Sequence, residues 1–280
     1  WAVESSRPAR TTPVVANGLV YFGNEAGEYR ALDVTNSEEV WRKEFDASVV
    51  STASVGNNIM VLGALDNNVY ALDPQTGDEL WIFETEGQVY SSPIIVDDVV
   101  YVGSRDDNLY ALNLADGSEI WRYDMGDDVW SSPAWSDDIV YIGSRSGNIV
   151  ALDAETGDEI WSLATGDNSP VDASPAIVDS VVYIGAGNGL FYALDSQTGD
   201  EIWSVDLEGG QIYASASVSD NTAYIFALDG NLHALDIATG DTLWIVGLGS
   251  PAYSSPTVVA DVVYAISEEG GLMYALDSQT

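Results

Sequence analysis

Residues 91–124 read SSPIIVDDVVYVGSRDDNLYALNLADGSEIWRYD, and this stretch decides the fold. It contains four short runs rich in β-branched and aromatic residues, at 91–96, 99–104, 108–113 and 119–124. Runs of this length, bounded by Asp, Asn, Gly and Ser, are typical of short strands joined by tight turns. A helix would need apolar residues spaced by about 3.6 positions over ten or more residues. The stretch therefore predicts four antiparallel strands.

Four landmarks of this stretch recur along the 280-residue chain: a Trp, an Ala-Leu-Asp/Asn triplet, a Ser-Ser-Pro-like element and a Tyr-x-Gly-like element. The period is 40 residues with drifts of one or two, as the Trp positions illustrate. They are Trp1, Trp41, Trp81, Trp121, Trp161, Trp203 and Trp244. Four strands per period of about 40 residues is the signature of a propeller blade. The sequence predicts an all-β chain, a seven-bladed β-propeller of four-stranded antiparallel blades.

The two ends of the chain complement each other in this pattern. The last repeat stops at Thr280, before its Trp segment, while the chain begins with Trp1. We expect residues 1–5 to supply the outer strand of the last blade, which would remove an open sheet edge. Residues 1–280 would then form a single domain. A fragment of a longer propeller is the alternative.

Composition excludes several classes of function. The formal net charge is -37, from 45 acidic residues against eight basic ones, so nucleic acid and anionic membrane surfaces would be repelled. No apolar run approaches the roughly 20 residues of a membrane-spanning helix, so we expect no membrane insertion. The chain has no Cys, which removes disulfides and thiolate chemistry.

The acidic residues are clustered, with adjacent pairs such as Asp97–Asp98 and Asp127–Asp128. Molar salt shortens the electrostatic screening length to about 3 Å and would relax such pairs. Lys43 is the only Lys, so the surface also lacks long apolar stems. These features resemble proteins of halophiles that accumulate salt. An acidic secreted protein of a mesophile is the alternative interpretation.

The pattern Val-Tyr-x-Gly-Ser, Leu-Tyr-Ala-Leu-Asp and Thr-Gly-Asp-Glu-Ile-Trp is almost complete at 100–121, 140–161 and 182–203. It resembles the quinoprotein (PQQ-like) propeller repeat over the whole chain. The resemblance implies that the seven Trp pack between neighbouring blades. The family includes quinone-dependent dehydrogenases and non-enzymatic scaffolds, with a BamB-like subgroup among the latter. Many relatives are exported, so the resemblance implies an extracytoplasmic location, with a cytoplasmic one as the alternative.

The dehydrogenase interpretation fits the sequence less well than the scaffold one. The resemblance implies that a dehydrogenase of this family would typically have eight blades, long insertions, a calcium site and often a vicinal Cys pair. None of these can be matched here. His233 is the only His, in a predicted strand where other repeats have Tyr110, Tyr192 and Tyr274. We expect it to be a packed strand residue. We therefore expect no catalytic residue, no metal and no cofactor, with a PQQ-dependent dehydrogenase or a degenerate relative as the alternative.

A binding site is predicted where two sets of loops meet on the funnel face of a propeller. The residues before the Ser-Ser-Pro-like elements include four aromatic side chains, and the loops between the second and third strands add two Arg. The candidate ligand-binding residues are Arg10, Tyr90, Arg105, Trp130, Arg145, Asp172, Tyr213 and Tyr253. Aromatic and Arg side chains are common binding hot spots.

We expect a monomeric, non-catalytic scaffold or recognition module that binds a protein or a small ligand at this face. The Arg residues would form a positive spot that attracts a carboxylate or an acidic peptide. In the alternative interpretation the aromatic residues only cap the inner strands, and each Arg pairs with a neighbouring Asp.

Overall fold

The structure, a computed structural model, describes residues 2–208, 210–251, 253–267 and 272–279. Within these ranges the chain forms 27 strands and no helix. Accordingly, the described residues include no helix long and apolar enough to span a membrane. Contacts divide the chain into two units, Trp1–Pro133 and Ala134–Thr280, and each is described by itself. The single domain expected over residues 1–280 stays a prediction.

The first unit contains three antiparallel sheets, each with four strands paired in chain order. The strands are β1 (Val14–Ala16), β2 (Leu19–Gly23), β3 (Glu28–Asp33), β4 (Glu39–Glu44), β5 (Ser54–Gly56), β6 (Ile59–Gly63), β7 (Asn68–Leu72), β8 (Glu79–Glu84), β9 (Ile94–Val96), β10 (Val99–Gly103), β11 (Asn108–Asn113) and β12 (Glu119–Asp124).

The second unit contains three four-stranded sheets and a last sheet with three strands, all antiparallel and in chain order. The strands are β13 (Ala134–Ser136), β14 (Ile139–Gly143), β15 (Asn148–Asp153), β16 (Glu159–Ala164), β17 (Ala176–Val178), β18 (Val181–Gly185), β19 (Leu190–Asp195), β20 (Glu201–Asp206), β21 (Ser217–Ser219), β22 (Thr222–Phe226), β23 (Asn231–Asp236), β24 (Thr242–Gly247), β25 (Thr257–Val259), β26 (Val262–Ile266) and β27 (Met273–Asp277).

The first strand of each sheet is shorter than predicted, because the Ser-Ser-Pro-like element makes side-chain hydrogen bonds instead of pairing as a strand. The Ser51 hydroxyl donates to the Gly63 carbonyl (2.8 Å) and accepts from the Gly63 amide (2.7 Å). The Thr52 amide donates to Ser92 Oγ of the next sheet, and the Ser92 amide donates to Ser132 Oγ (2.9 Å each). These hydroxyls therefore connect neighbouring repeats.

At five positions the recurring Trp joins its sheet to the turn that follows the third strand of the next sheet in the same unit. In the first unit Trp41 is buried, and its indole N–H donates to the Pro74 carbonyl (2.9 Å), which also accepts from the Tyr21 hydroxyl (3.1 Å). Gly77, at a φ of 74°, lies against the indole face. The same hydrogen bond is made by Trp81, Trp161, Trp203 and Trp244 to Leu114, Ser196, Ile237 and Ser278. The expected packing of Trp between sheets is thus found at these five positions.

The outer strand expected for the last sheet from residues 1–5 is not found among the described residues. Trp1 lies outside them, and the last sheet consists of β25–β27. The segment from 4 to 6 instead makes polar contacts with the first sheet. Arg30 donates to the Glu4 carbonyl (3.1 Å), Asn24 donates to Ser5 Oγ (3.1 Å), and Ser6 Oγ donates to a Glu28 carboxylate oxygen. The Arg and carboxylate groups on and beside β3 offer this polar segment partners that a repeat-based prediction does not anticipate.

Candidate functional site

Two of the predicted aromatic residues form a stacked pair in the first unit. Tyr90 and Trp130 precede Ser91 and Ser131, the equivalent positions of consecutive repeats, so the repeat itself brings them together. Their ring centroids are 4.8 Å apart and their planes differ by 3°. Both side chains are half-buried. With Arg105 and Asp128 they form what we call the Tyr90–Trp130 cluster.

Arg105 reaches this pair from the loop between β10 and β11. Its guanidinium carbon lies 5.7 Å from the Tyr90 ring centroid and 5.4 Å from that of Trp130. Because the two distances are nearly equal, the guanidinium lies beside the pair and spans both rings, rather than covering one outer face. Its Nε donates to Asp128 Oδ2 (2.7 Å) and its Nη1 to Gln88 Oε1 (2.8 Å). The Asp128 hydrogen bond raises the pKa of Arg105.

The charge around the cluster is negative. The carboxylates of Asp107, Asp127 and Asp128 lie with oxygens within 4.8 Å of one another. Burial raises the pKa of the Asp107 carboxyl, and the charges of Asp127 and Asp128 raise it further. Asp128 also accepts from the Trp130 indole N–H (3.3 Å). Arg105 thus pairs with one member of a group of three carboxylates, and this pairing neutralises its charge.

A second aromatic pair, with its own Arg and Asp, lies in the second unit. The rings of Tyr213 and Tyr253 are 6.1 Å apart with planes differing by 9°, and Tyr253 is 56% exposed. Arg145 Nε lies 3.4 Å from Asp172 Oδ1. Burial raises the pKa of Tyr213, with a smaller rise from Asp172 that Arg145 opposes. We call this group the Tyr213–Tyr253 cluster.

The predicted site residues are thus grouped as Tyr90, Arg105 and Trp130 in one unit and Arg145, Asp172, Tyr213 and Tyr253 in the other. Arg10 pairs with Glu25 instead. Sequence reasoning did not assign Asp128 or Gln88 to the site. The Asp127–Asp128 pair was noticeable as an acidic pair, but its position beside Arg105 depends on how the loops fold.

The positive spot expected at these residues is not formed. In the described part of the chain, every basic side chain except Arg7 lies within 4.0 Å of a carboxylate oxygen. The seven pairs are those of Arg10, Arg30, Arg42, Lys43, Arg105, Arg122 and Arg145. The alternative expectation, in which each Arg pairs with a neighbouring Asp, holds for Arg105 and Arg145. An anionic ligand would have to compete with these carboxylates.

Known proteins share the repeat and the strand pattern of this chain. The family described as "Beta-alanine-activating enzyme, beta-propeller" matches residues 2–280. The chain belongs to this propeller family. No curated protein matches it.

Two solved structures show the fold of this propeller. BamB from Moraxella catarrhalis superposes with a TM-score of 0.85 at 20% identity, covering 99% of this chain and 85% of that one. The computationally designed Ika8 protein superposes with a TM-score of 0.82 at 23% identity, covering 95% and 83%. At these identities the likeness establishes the fold, an all-β propeller built here from seven antiparallel sheets.

The quinone cofactor of the dehydrogenases whose repeat this sequence resembles does not fit the two aromatic clusters. PQQ carries several carboxylates and would need unneutralised cations beside its rings. Arg105 is bonded to Asp128, and Arg145 lies against Asp172. The clusters therefore present an environment that opposes such an anion.

Proposed function

We propose that this chain is a non-catalytic recognition module whose Tyr90–Trp130 cluster binds a cationic side chain of a partner protein. The observation that carries the proposal is a stacked Tyr–Trp pair bordered by three carboxylates. Aromatic faces attract cations through the ring quadrupole, and Tyr and Trp dominate the energetics of many interfaces.

The position of Arg105 supports a cationic rather than an anionic partner. The Arg105 guanidinium packs beside both rings while Asp128 accepts its hydrogen bond, which shows that the carboxylates hold a cation next to the aromatic pair. A partner Lys or Arg would meet the same rings and the carboxylate of Asp127, which is exposed. The net charge of -37 would attract a basic segment over a longer range and speed its association.

The test is fluorescence anisotropy of a labelled peptide of alternating Gly and Arg, with the matching Gly–Glu peptide as the anionic arm. About 1 M KCl suppresses general attraction to the acidic surface. Trp130→Ala should weaken binding of the Arg peptide by about 2 kcal/mol, or about 30-fold in Kd. Asp127→Asn should also weaken it, because one carboxylate is neutralised. Binding of the Glu peptide in preference to the Arg peptide would contradict the proposal.

Trp135 provides the matched control, because it is a second partly exposed Trp (38%) that is not part of the cluster. Trp135→Ala should leave peptide affinity unchanged, and Trp130→Phe should retain most of it by keeping an aromatic face. If Trp130→Ala and Trp135→Ala reduced peptide affinity equally, the effect would be a general one of the surface and not of the cluster. The unfolding midpoint of each variant separates lost binding from lost stability.

The competing function is that of a PQQ-dependent dehydrogenase. Titration of the protein with PQQ, followed by absorbance, distinguishes the two functions. Stoichiometric uptake that Trp130→Ala abolishes would favour the dehydrogenase.

β-Alanine is a further probe, because the family description names an enzyme that activates it. Its ammonium group suits the aromatic rings and carboxylates of the cluster.

An extracytoplasmic location, a high-salt habitat and a monomeric state complete the proposal. The first is supported by the repeat resemblance and the second by the paired acidic residues. Fractionation of the source cells with an antibody to this chain tests the location, and sedimentation in molar KCl tests the monomer.

A further inference from the structure

One repeat of the second unit departs from a side-chain contact that two other repeats share. In β7 the Tyr70 hydroxyl donates to Asp66 Oδ2 (2.7 Å), and in β11 the Tyr110 hydroxyl donates to Asp106 Oδ2 (2.8 Å). Each Asp precedes its Tyr by four residues. At the equivalent position of β23 the Asp is retained as Asp229, but the Tyr is replaced by His233.

The shorter imidazole leaves a gap. His233 Nε2 lies 3.6 Å from Asp229 Oδ2, too far for a hydrogen bond. His233 is 4% exposed, and its Nε2 is buried without a hydrogen-bond partner. Buried polar atoms of this kind are rare, because burial removes the hydrogen bonds to water without replacing them. An unpaired Nε2 beside a retained carboxylate is therefore a feature that needs an explanation.

The gap opens onto a cleft of about 310 Å³ that carries further carboxylates. Asp206 and Glu208 line it together with Asp229 and His233. Asp229 is held in place by Asn231, whose amide N–H donates to Oδ1 (2.9 Å) and whose side-chain amide donates to Oδ2. The carboxylates of Asp206 and Glu208 are both exposed. One imidazole and three carboxylates thus share one small opening.

The separation of Nε2 and Oδ2 matches the spacing of two ligands on one transition-metal ion. Zn²⁺ binds His nitrogen and carboxylate oxygen at about 2.0–2.2 Å in a tetrahedral arrangement, which places two ligand atoms about 3.3–3.6 Å apart. Burial lowers the pKa of His233 against a smaller opposing effect of Asp229, so the ring is neutral at neutral pH. An imidazole ligand also favours Zn²⁺ over Ca²⁺ or Mg²⁺.

We propose that His233 and Asp229 bind a divalent transition-metal ion such as Zn²⁺, with water completing its coordination. The ion fills the gap that the Tyr hydroxyl closes in β7 and β11. This site shares no residue with the Tyr90–Trp130 cluster. A test of metal binding therefore neither supports nor contradicts the proposed recognition function.

His233→Tyr is the decisive variant, because it restores the residue of β7 and β11 and retains all 45 acidic residues. Calorimetric titration with Zn²⁺ should show one site in the parent and at least tenfold weaker binding in His233→Tyr. Asp229→Asn should weaken Zn²⁺ binding as well. Titration with Ca²⁺ reports the acidic surface and should give the same result for the parent and His233→Tyr.

The single His permits a second readout that does not depend on any variant. The imidazole C–H resonances of the parent form one set in a proton–carbon correlation spectrum, and saturation with Zn²⁺ should shift them. Asp107→Asn, which alters an acidic cluster of the first unit, is the matched control and should leave this shift unchanged. Imidazole resonances that stay in place at saturating Zn²⁺, or equal Zn²⁺ affinity in the parent and His233→Tyr, would overturn the proposal.

Discussion

At the scale of single residues, the neighbours of each Asp decide whether its charge is favourable. Asp195 accepts hydrogen bonds from the amides of Gln197 and Thr198, and these bonds lower the pKa of its carboxyl. Asp128 pairs with Arg105. Asp107, by contrast, is crowded by other carboxylates, and its pKa is raised. A net charge of -37 therefore combines stabilising carboxylates with one, Asp107, whose charge opposes folding.

Asp107→Asn should stabilise the protein at neutral pH and low salt by about 0.5 kcal/mol, because it removes a repelled charge. Asn suits the left-handed backbone of this position (φ 71°), and Asn67 occupies the equivalent position of the preceding repeat at φ 70°. Urea unfolding of parent and variant gives the difference. Glu155→Gln changes the net charge equally at an exposed position and should have a smaller effect.

The stabilisation by Asp107→Asn should also depend on pH. The raised pKa means that the folded parent binds a proton more readily than the unfolded chain does. The repulsion at Asp107 therefore disappears as the pH falls through that raised pKa. The advantage of Asn should shrink over the same interval, and an advantage that is constant with pH would contradict this explanation.

At the scale of strands and turns, the Trp–carbonyl hydrogen bond explains why the turn glycines recur. A Cβ at Gly77 would come within 2.7 Å of Trp41 Cε3, and its φ of 74° is one that side chains rarely adopt. The indole therefore requires both a left-handed backbone and the absence of a side chain. The turn from Asp73 to Gly77, with the sequence Asp-x-x-Thr-Gly, is thus set by packing between sheets as well as by the hydrogen bonds that Asp73 accepts.

Gly77→Ala should destabilise the first unit by about 3 kcal/mol, from the backbone conformation together with the clash against the indole. Gly18 separates the two effects, because its φ is 79° but a Cβ there would meet nothing within 4 Å. Gly18→Ala should cost about 1 kcal/mol. The midpoint of chemical unfolding measures both variants. If Gly77→Ala and Gly18→Ala lowered stability equally, the contact with Trp41 would contribute nothing to the cost of Gly77→Ala.

Features that repeat could be predicted from the sequence, and features that occur once could not. The strands, the turns and the structural Trp appear in copy after copy, so the pattern separates them from chance. The same periodicity placed Tyr90 beside Trp130, because the two share a position in consecutive repeats. The pairing of Arg105 with Asp128 depends on the reach of single side chains across a loop. The contacts of residues 4–6 with the first sheet likewise have no counterpart in other repeats.

At the scale of the whole molecule, the acidic composition predicts strong dependence on salt. Melting temperature should rise from about 0.1 M to 2 M KCl, because clustered carboxylates such as Asp107, Asp127 and Asp128 are screened. Sucrose is the necessary comparison, since exclusion of any cosolute from the surface also stabilises proteins. If sucrose matched the effect of KCl, or if KCl had none, the acidic surface would not be an adaptation to salt.

The Trp–carbonyl hydrogen bonds span 33 to 35 residues, which is less than one 40-residue repeat, and each joins two consecutive copies. Tandem duplication of one full period in the gene, starting at any codon, would therefore place a new donor and a new acceptor at the correct separation. Deletion of one period would rejoin an existing donor to the next acceptor. Unequal recombination can thus change the number of repeats, and the Trp–carbonyl hydrogen bond between neighbouring copies needs no further mutation to form.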